Sequence, residues 1–401
     1  MRILQICPRV PYPLHDGGAI GMFNITKHLA LRGHQIHMAA FGKEDSTSLE
    51  GLREHCEPTL VKHDTSTRRI DAAANLFSKI PYTISKYHLE AMYRVLSEIV
   101  KQAAIEVVHV DLLHMATYGI FLKKNYNLPI ILREHNFEST LMERFLRNQT
   151  NPALRWYAGN QYRKLRSYEP RIGAQFDRCV MITRDDEQRI RALSNQLQTV
   201  VIPAGVDLPD DTDSREKPGS ILFLASLDWP PNVDGFFWFY ENVFPHILRA
   251  EPEIHLSILG KGDSPRLKQL VHPNIHFIGF VEDVVPYIKS AKICIVPLFA
   301  GGGMRIKILE MFAHRKCVVS TSIGSEGIDV QDECELLIAD DPVEFAQKLL
   351  CAFRDRKLRQ FLGNNARKLV ENKYAWPQVG AAFEKVYDEV INTKKLGKRL
   401  R

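Results

Sequence analysis

Short apolar runs alternate with longer amphipathic stretches along the first half of the chain. Strand-like runs at 3–7 and 35–41 flank a helical pattern at 19–31. Similar runs follow at 107–110, 129–132, 179–182 and 199–202, with helical patterns such as 85–104 and 151–175 between them. Strands that alternate with helices in this way predict a parallel sheet covered by helices.

The second half repeats the pattern after a polar stretch at 203–219 that is rich in chain breakers, as an interdomain connection is. Strand-like runs follow at 220–225, 254–259, 275–278, 293–297, 317–320 and 335–338, and helical patterns at 342–353, 356–372 and 377–392. A chain of 401 residues also exceeds what one hydrophobic core usually supports. We therefore predict two doubly wound α/β domains, at 1–203 and 204–376.

The composition indicates the general class of protein but not the reaction that it catalyses. With 45% hydrophobic and 25% charged residues the chain is typical of globular proteins. Seven cysteines without a C-x-x-C pair predict reduced thiols in a cytosol. Neither a leader nor an apolar run of the roughly 20 residues that a membrane span needs is evident. A cytoplasmic location is expected, either free or peripheral at the inner face of the membrane.

The net charge of +6 is modest, but basic residues are dense at 144–171 and 394–401. Trp156, Tyr157, Tyr162 and Tyr168 lie among the cations of the first segment. A solvated helix face and a frayed terminus are the first interpretation of these basic residues, and contact with an anionic membrane surface or another polyanion is the alternative. We expect no nucleic-acid partner.

The most specific motif runs from 297 to 310, where a strand meets three glycines and then a helix. Bare amides of Gly301, Gly302 and Gly303, the positive end of the helix dipole, and the cations Arg305 and Lys307 converge there. This combination suits a diphosphate. Helical spacing places Lys307 and Glu310 near one another, beside an apolar stripe of Ile306, Leu309 and Ala313.

A weaker glycine motif, Gly17-Gly18, follows the first strand and precedes a helix. Its amides could face an anion or a sugar hydroxyl, or the glycines could only permit a sharp turn. The G-x-G-x-x-G fingerprint is absent from this turn, which argues against a dinucleotide-dependent oxidoreductase. Asp111 and His114, after the run at 107–110, are lesser candidates for chemistry.

In these motifs the chain resembles the retaining glycosyltransferases of family four, also called glycosyl transferases group 1. The resemblance spans nearly the whole chain through the Gly17-Gly18 turn, the motif at 297–310, and the segments 132–138, 224–232, 259–262, 279–283 and 374–376. It implies the GT-B fold, with two Rossmann-like lobes that face each other across a cleft. The N-terminal lobe would bind the acceptor, the C-terminal lobe the nucleotide sugar, and 377–401 would pack back on the N-terminal lobe.

The resemblance also implies roles for single residues. Amides of 301–303 and Met304 would line the donor diphosphate, Glu310 would hold the ribose, and His135 would contact the transferred sugar. Gly18 would lie between acceptor and phosphate. Further donor contacts would come from Ser226, Asn232, Gly260, Lys261, Phe280, Val281 and Pro286. Glu134 and Glu138 flank His135 and either orient its imidazole or face water.

Two departures from the family pattern concern the donor site. Gly302 stands where the family has the first of two glutamates eight positions apart, and 226–234 holds no cation for the diphosphate. Arg305 and Lys307 are the predicted substitutes. The single Asp-x-Asp sequence, 211–213, lies in the polar connection and is interpreted as linker, so neither a metal nor another cofactor is expected.

The predicted activity is therefore transfer of a sugar from a UDP-, GDP- or dTDP-linked donor to a glycan or lipid-linked acceptor, with retention of configuration. Polysaccharide or glycoconjugate biosynthesis is the expected setting. Two alternatives stay open from the sequence: a non-catalytic subunit that binds a nucleotide sugar, which the glycine at 302 motivates, and a nucleotide-sugar epimerase or hydrolase of the same fold class.

Overall fold

The protein is described from a computed structural model. The structure describes residues 1–14, 16–42, 46–210, 216–262, 264–301 and 303–399, and Gly302 and the sequence 211–213 lie outside these ranges. The chain forms two compact units. The first unit comprises Met1–Ala204 and Val379–Arg401, and the second comprises Gly205–Gln378.

The first unit is built on a seven-stranded parallel sheet. Its strands are β1 Arg2–Cys7, β2 Gln35–Gly42, β3 Glu57–Lys62, β4 Val107–Asp111, β5 Ile130–Glu134, β6 Arg178–Met181 and β7 Thr199–Val201. They lie in the order β3-β2-β1-β4-β5-β6-β7. The sequence pattern missed β3 because this edge strand is only partly buried and has no apolar run.

Helices cover this sheet: α1 Gly17–Leu31, α2 Ser46–Arg53, α3 Arg69–Ala74, α4 Tyr82–Ser85, α5 Glu90–Ala103, α6 Ala116–Tyr126, α7 Glu138–Asn148, α8 Pro152–Gly173 and α9 Arg184–Leu193. The predicted helix at 85–104 is wrong in its first turn. Leu89 has an extended backbone there, and its N–H donates to the hydroxyl of Tyr118 at 2.8 Å, so the long helix begins at Glu90.

The second unit has a six-stranded parallel sheet in the order β10-β9-β8-β11-β12-β13. The strands are β8 Ser220–Leu224, β9 His255–Leu259, β10 Ile275–Gly279, β11 Ile293–Val296, β12 Val318–Ser320 and β13 Leu337–Ile338. The helices are α10 Pro230–Trp238, α11 Phe244–Ala250, α12 Pro265–Lys268, α13 Val285–Ser290, α14 Ile306–Ala313, α15 Pro342–Arg354, α16 Arg356–Leu369 and α17 Trp376–Arg399.

The last helix, α17, begins at the buried Trp376 of the second unit and runs on into the first. In the first unit Glu384 forms an ion pair with Arg32, and Lys394 donates to the carbonyl of Leu128 at 2.7 Å. The predicted return of the terminal helix to the N-terminal lobe is thus confirmed. None of the helices described is both long and apolar enough to cross a membrane.

Both sheets share one topology, which fixes where a ligand can bind. Strand order reverses between β1 and β4 in the first unit and between β8 and β11 in the second. At such a switch point neighbouring connections leave in opposite directions, which opens a crevice at the carboxyl ends of the strands. The predicted fold of two doubly wound α/β lobes is confirmed, and each lobe has one such crevice.

Candidate functional site

The switch point of the first unit holds a buried carboxylate, Asp111, the last residue of β4. Gln5 donates to its Oδ2 at 2.7 Å, and Arg133 donates to its Oδ1 at 3.1 Å. Nε2 atoms of His135 and His109 lie 3.4 and 3.5 Å from the same Oδ1. Burial would raise the pKa of Asp111, but the imidazoles and the guanidinium outweigh it and hold the pKa well below its usual value. These five residues are called the Asp111 cluster.

The tautomer of His135 is assigned from its contact with Arg133 in this cluster. Nη1 of Arg133 lies 2.5 Å from Nε2 of His135. A guanidinium has only donors, so the shorter of the two contacts of Nε2 assigns it as an acceptor, although Oδ1 of Asp111, which also accepts, lies 3.4 Å away. With this assignment the neutral ring carries its proton on Nδ1. Burial, and then the charge of Arg133, lower the pKa of His135 to about 4. His135 is therefore a neutral hydrogen-bond donor at physiological pH.

The Nδ1–H donor of His135 faces the predicted Gly17-Gly18 turn. A Cβ placed on Gly18 would lie 3.6 Å from Nδ1 of His135 and 3.1 Å from the carboxylate of Asp16. Asp16 caps α1 by accepting from the N–H groups of Gly18 and Ala19, and it forms an ion pair with Arg9. The structure thus brings His135 and Gly18 together, but it commits the Gly18 amide to Asp16.

Glu134 and Glu138 do not orient the imidazole of His135, as one of the sequence interpretations had it, because the hydrogen-bond partners of that imidazole among the described residues are Arg133 and Asp111. Successive residues of a strand point to opposite faces, so Glu134 lies on the face of β5 away from Arg133. Its side chain is buried, and among the described residues no donor reaches either oxygen. Burial, and then the neighbouring Glu169, raise the pKa of Glu134 well above its usual value.

Glu169, on α8, caps the helix that follows His135. It accepts from the N–H of Glu138 at 2.7 Å, from the N–H of Ser139 at 3.0 Å, and from the Ser139 hydroxyl. Burial raises the pKa of Glu169 to about 7, although these bonds oppose the shift. Burial, and then Glu169, also raise the pKa of Glu138 to about 8. Glu134 and Glu169 can therefore share a proton, and Glu134 is its natural donor.

The switch point of the second unit holds a pocket of about 280 Å³, here called the Lys307 pocket. It is lined by Leu224, Ala225, Ser226, Gly260, Lys261, Phe280, Val281, Val284 and Lys307. Nζ of Lys307 donates to the carbonyl of Leu224 at 2.9 Å. Burial, and then the charge of Arg305, lower the pKa of Lys307 to about 7. Phe280 is 68% exposed at this pocket, so its ring is free to stack on a ligand.

Two loops pack closely to form the pocket wall. The N–H of Leu227 donates to the carbonyl of Lys261 at 2.6 Å. Gly260 has a φ of +149°, and a Cβ there would lie 1.6 Å from the carbonyl oxygen of Ala225, so a side chain cannot fit. Asn232 donates to the carbonyl of Ser226 at 2.8 Å from a buried position. Asn232 therefore holds the loop and does not line the pocket.

The buried side chain of Arg305 stabilises the glycine turn between β11 and α14. Arg305 is only 7% exposed and donates to the carbonyls of Gly303 and Ile323. A Cβ on Gly301 would lie 2.7 Å from the Trp229 ring and 2.8 Å from the Arg305 guanidinium. Met304 packs on the apolar core beneath the turn. Arg305 therefore shapes the turn, whereas Lys307 and Lys261 reach the pocket.

Glu310 and Pro286 lie outside the residues that line this pocket. Burial, and then the carboxylate of Asp283, raise the pKa of Glu310. Of the three residues of the predicted apolar stripe on α14, Leu309 and Ala313 are buried and Ile306 is half-buried. The helix buries Ile308, Met311 and Phe312 as well, since it packs between the sheet and the last helices of this unit.

Sequence reasoning missed Arg133, His109 and the central position of Asp111. A signal for Arg133 was present, because Arg133 precedes His135 by two, the spacing at which residues of an extended chain share a face, although β5 itself ends at Glu134. His109 could not be found in this way, because its partner Tyr387 lies on the last helix. The other candidate, His114, packs against the ring of Tyr87. Within the described ranges, no group of His, Cys, Asp and Glu side chains could hold a metal ion.

Comparison with known families covers both units. A model of glycosyl transferases group 1 matches residues 218–355, and a model of glycosyltransferase family 4 matches residues 15–209. A Klebsiella pneumoniae relative described as an uncharacterized 44.6 kDa protein in the cps region is 22% identical over 97% of this chain and 99% of its own. The phosphatidyl-myo-inositol mannosyltransferase of Mycolicibacterium smegmatis is 25% identical over 48% of this chain and 52% of that enzyme.

Solved structures resemble the chain over nearly its full length. Sucrose-phosphate synthase from Thermosynechococcus elongatus superposes with a TM-score of 0.71 at 15% identity, covering 98% of this chain and 100% of that one. Anabaena HepE in complex with UDP gives a TM-score of 0.68 at 11% identity, covering 97% and 100%. Because the sequence identities are this low, the superpositions show that the fold is shared and nothing further.

Proposed function

The chain is a glycosyltransferase with the GT-B fold, and from this premise we propose that it transfers a sugar from a nucleoside diphosphate donor to a glycan or lipid-linked acceptor. Retention of anomeric configuration is part of the proposal, as is a role in polysaccharide or glycoconjugate biosynthesis. The donor nucleotide would be UDP, GDP or dTDP. The observation that carries the proposal is the Lys307 pocket beside the glycine turn.

The Lys307 pocket suits a nucleoside diphosphate. Its lining is apolar at Val281 and Val284, aromatic and exposed at Phe280, and cationic at Lys307 and Lys261. A base can stack at the apolar side while the phosphates meet the ammonium groups and the amides of the glycine turn. Glu310 would then bind the ribose hydroxyls, and Pro286 would border the base.

Lys307 is matched to a leaving group whose charge increases. Transfer breaks the bond between the sugar carbon and the phosphate oxygen, so negative charge grows on the diphosphate. Lys307 with a pKa of about 7 is partly neutral before the donor binds. A neighbouring diphosphate raises this pKa, and the resulting ammonium stabilises the departing group. Arg305 acts as a positioning residue for the turn.

His135 would position the transferred sugar. Its proton lies on Nδ1, because Arg133 occupies Nε2, and Nδ1 points toward Gly18. A neutral imidazole held in this way can donate a hydrogen bond to a sugar hydroxyl without taking a proton. In a front-face retaining reaction the departing phosphate oxygen itself accepts the acceptor proton. The chemistry then needs no separate base.

Two measurements test the proposal. A thermal-shift panel of UDP, GDP, ADP and dTDP should give one nucleotide that raises the midpoint of unfolding, because binding to the native state stabilises it. The matching nucleotide sugar should then release nucleoside diphosphate when an acceptor extract is added. An absence of release with every donor and acceptor extract, despite nucleotide binding, would instead support a non-catalytic binding subunit.

A further inference from the structure

The helical segment that follows β3 carries its apolar side chains on the side that faces water. Helix α3 runs directly into a 3₁₀ helix at Asn75–Phe77. Phe77 is 95% exposed and Ile70 is 84% exposed. Ala73 and Ala74, between them, are exposed as well. Residues three and four apart share one face of a helix, so these four side chains form one stripe, here called the Phe77 stripe.

The opposite face of this segment is held to the first unit by the hydrogen bonds of a buried asparagine. Nδ2 of Asn75 donates to the carbonyl of Ile80 and to the hydroxyl of Ser85, both at 3.0 Å. Nε2 of Gln161, on α8, donates to Oδ1 of Asn75 at 3.2 Å, and Nζ of Lys164 donates to its carbonyl at 2.6 Å. A surface helix usually buries its apolar face, so the polarity of this segment is reversed. The hydrogen bonds fix the segment with its apolar stripe outward.

The segment lies at the carboxyl edge of the first sheet, the edge that also holds the Asp111 cluster. A pocket of about 550 Å³ connects it to this edge, because His63, directly after β3, lines the pocket together with Asn75. Tyr87, which follows the segment, packs its ring on His114 at 5.1 Å. His114 follows β4 as His135 follows β5. The Phe77 stripe therefore belongs to the same edge of the unit as His135.

The charges along the segment favour an anionic partner. Arg69, in the first turn of α3, and Lys79 are both exposed. Asp71 is the one acidic residue between 66 and 80. Arg68 adds little, because it is already paired with Asp64 at 3.6 Å. Apolar side chains flanked by cations on a short helix are typical of segments that lie in the interface of a bilayer.

The Phe77 stripe is too small for a stable protein partner. A large aromatic side chain buries roughly 150–250 Å², and the stripe consists of one aromatic residue, one isoleucine and two alanines. A stable protein interface needs about 800 Å² from each partner. A lipid surface accepts single side chains, because each inserted apolar group contributes its own transfer free energy. The size of the stripe therefore favours lipid over a second protein.

We propose that the Phe77 stripe docks the protein on an anionic membrane surface. Phe77 and Ile70 insert at the boundary between headgroups and acyl chains, and Arg69 and Lys79 meet the anionic headgroups. Docking by this segment brings the carboxyl edge of the first unit, and with it His135, to the membrane surface. The docking surface goes beyond the proposed function, whereas its use in presenting a lipid-linked acceptor rests on that function.

Flotation of the full-length protein with vesicles of phosphatidylcholine, with and without phosphatidylglycerol, tests the docking surface. Phe77→Ser and Ile70→Ser each remove one apolar side chain of the stripe. Leu31→Ser is the matched control, because Leu31 is 68% exposed at the end of α1, before β2, and so lies at the opposite edge of the same sheet. All three side chains are exposed, so the variants should unfold at the same temperature as the wild type.

The wild type and Leu31→Ser should float with the mixed vesicles, and Phe77→Ser and Ile70→Ser should bind them roughly tenfold more weakly. Vesicles of phosphatidylcholine alone should bind the wild type more weakly than the mixed vesicles do. Wild-type binding by the two stripe variants, or equal losses in all three variants, would overturn the docking surface. Equal binding to the two kinds of vesicle would overturn the anionic partner.

Fluorescence of Phe77→Trp gives a second readout that does not depend on a loss of binding. Its emission should shift to the blue when mixed vesicles are added, and brominated phosphatidylcholine should quench it more than it quenches the wild type. Unchanged emission would contradict insertion at position 77. A raised KM for a water-soluble acceptor glycan in Phe77→Ser, with unchanged flotation, would assign Phe77 to glycan binding instead. Nucleotide thermal shifts that persist in these variants would leave the proposed transferase function intact.

Discussion

The hydroxyl of Tyr387, on the last helix, lies 2.6 Å from Nδ1 of His109, a buried residue of the Asp111 cluster. The ring of Phe383, one turn earlier on α17, stacks on the same imidazole at 5.2 Å. The terminal helix thus contacts His109, which lies in the same cluster as Arg133 and His135. Its return to the first unit stabilises the site as well as the sheet.

Removal of this hydroxyl should destabilise the protein. In Tyr387→Phe, a buried ring nitrogen of His109 loses its partner, and we expect the free energy of unfolding to fall by about 1–3 kcal/mol. Urea unfolding followed by circular dichroism measures the change. Tyr240→Phe is the control, since the half-buried ring of Tyr240 stacks on Phe236 in the other unit. An unchanged unfolding midpoint for Tyr387→Phe would contradict this role.

Replacement of His135 should separate a positioning role from acid–base catalysis. His135→Ala should lower kcat by about 10²–10³-fold without weakening nucleotide binding, because the hydrogen bond to the sugar is lost. His135→Asn should recover part of this loss, since its amide N–H lies near the position of Nδ1. Steady-state kinetics with the identified donor measures both variants.

The pH profile provides the second readout for His135. With a pKa of about 4, its imidazole is neutral throughout the range from pH 5 to pH 8. The dependence of kcat/KM on pH should therefore have the same shape in the wild type and in His135→Asn. A limb near pH 6 that disappears in the variant would show that His135 titrates, and would contradict a neutral imidazole in this range.

Glu134 should make the first unit less stable as the pH rises. A carboxyl whose pKa is raised in the folded state stabilises fully below its unfolded pKa, near 4.5, and this contribution is lost as the pH rises through the folded pKa. Glu134→Gln keeps a donor for Glu169 without a titrating proton. It should raise the free energy of unfolding at pH 8 by about 1–3 kcal/mol.

Urea unfolding at pH 5, 6, 7 and 8 measures this difference, which should shrink toward pH 5 because the wild type becomes more stable as the pH falls toward the unfolded pKa of Glu134. The control is Glu98→Gln, on the exposed side of α5. A difference between the wild type and Glu134→Gln that stays constant from pH 5 to pH 8 would be inconsistent with a shared proton.

Lys307 should couple donor binding to proton uptake. Its pKa of about 7 means that much of it is neutral at pH 8, and an arriving diphosphate restores the ammonium. Nucleotide affinity should therefore fall as the pH rises above 7. Lys307→Met should bind the nucleotide about 10–100-fold more weakly and lose the pH dependence. Lys217→Met, exposed in the same unit, is the control.

Calorimetry at pH 8 in two buffers of different ionisation enthalpy measures the proton count directly. The wild type should take up part of a proton on binding, and Lys307→Met should take up none. Equal proton uptake in both proteins would assign the effect to another group.

The sequence predicted the elements that carry strong patterns. All six strands of the second unit lie where apolar runs occur. Parallel strands buried on both faces require such runs, and the partly exposed edge strand β10 carries one as well. The edge strand β3 was not predicted, since this partly exposed strand has mixed polarity and no apolar run. The start of α5 was misplaced because a hydroxyl from α6, distant in sequence, fixes the backbone of Leu89.

The roles of single residues could be predicted from the sequence less completely than the fold. The glycine turn pointed to a cationic pocket, and the family resemblance already gave Lys261 as a donor contact, but the sequence could not show that Arg305 turns inward to brace the backbone. The orientation of Arg305 depends on how loops from different strands pack. The Asp111 cluster likewise combines residues from β1, β4 and β5, which only the strand order brings together.

The central claim is that the Lys307 pocket and the adjoining glycine turn receive the diphosphate of a nucleotide sugar. Crystals of the protein soaked with the nucleotide sugar selected by the thermal-shift panel test it most directly. We predict density for the diphosphate at the amides that precede α14, within hydrogen-bond distance of Nζ of Lys307. An empty turn with the nucleotide bound in another pocket would contradict the account.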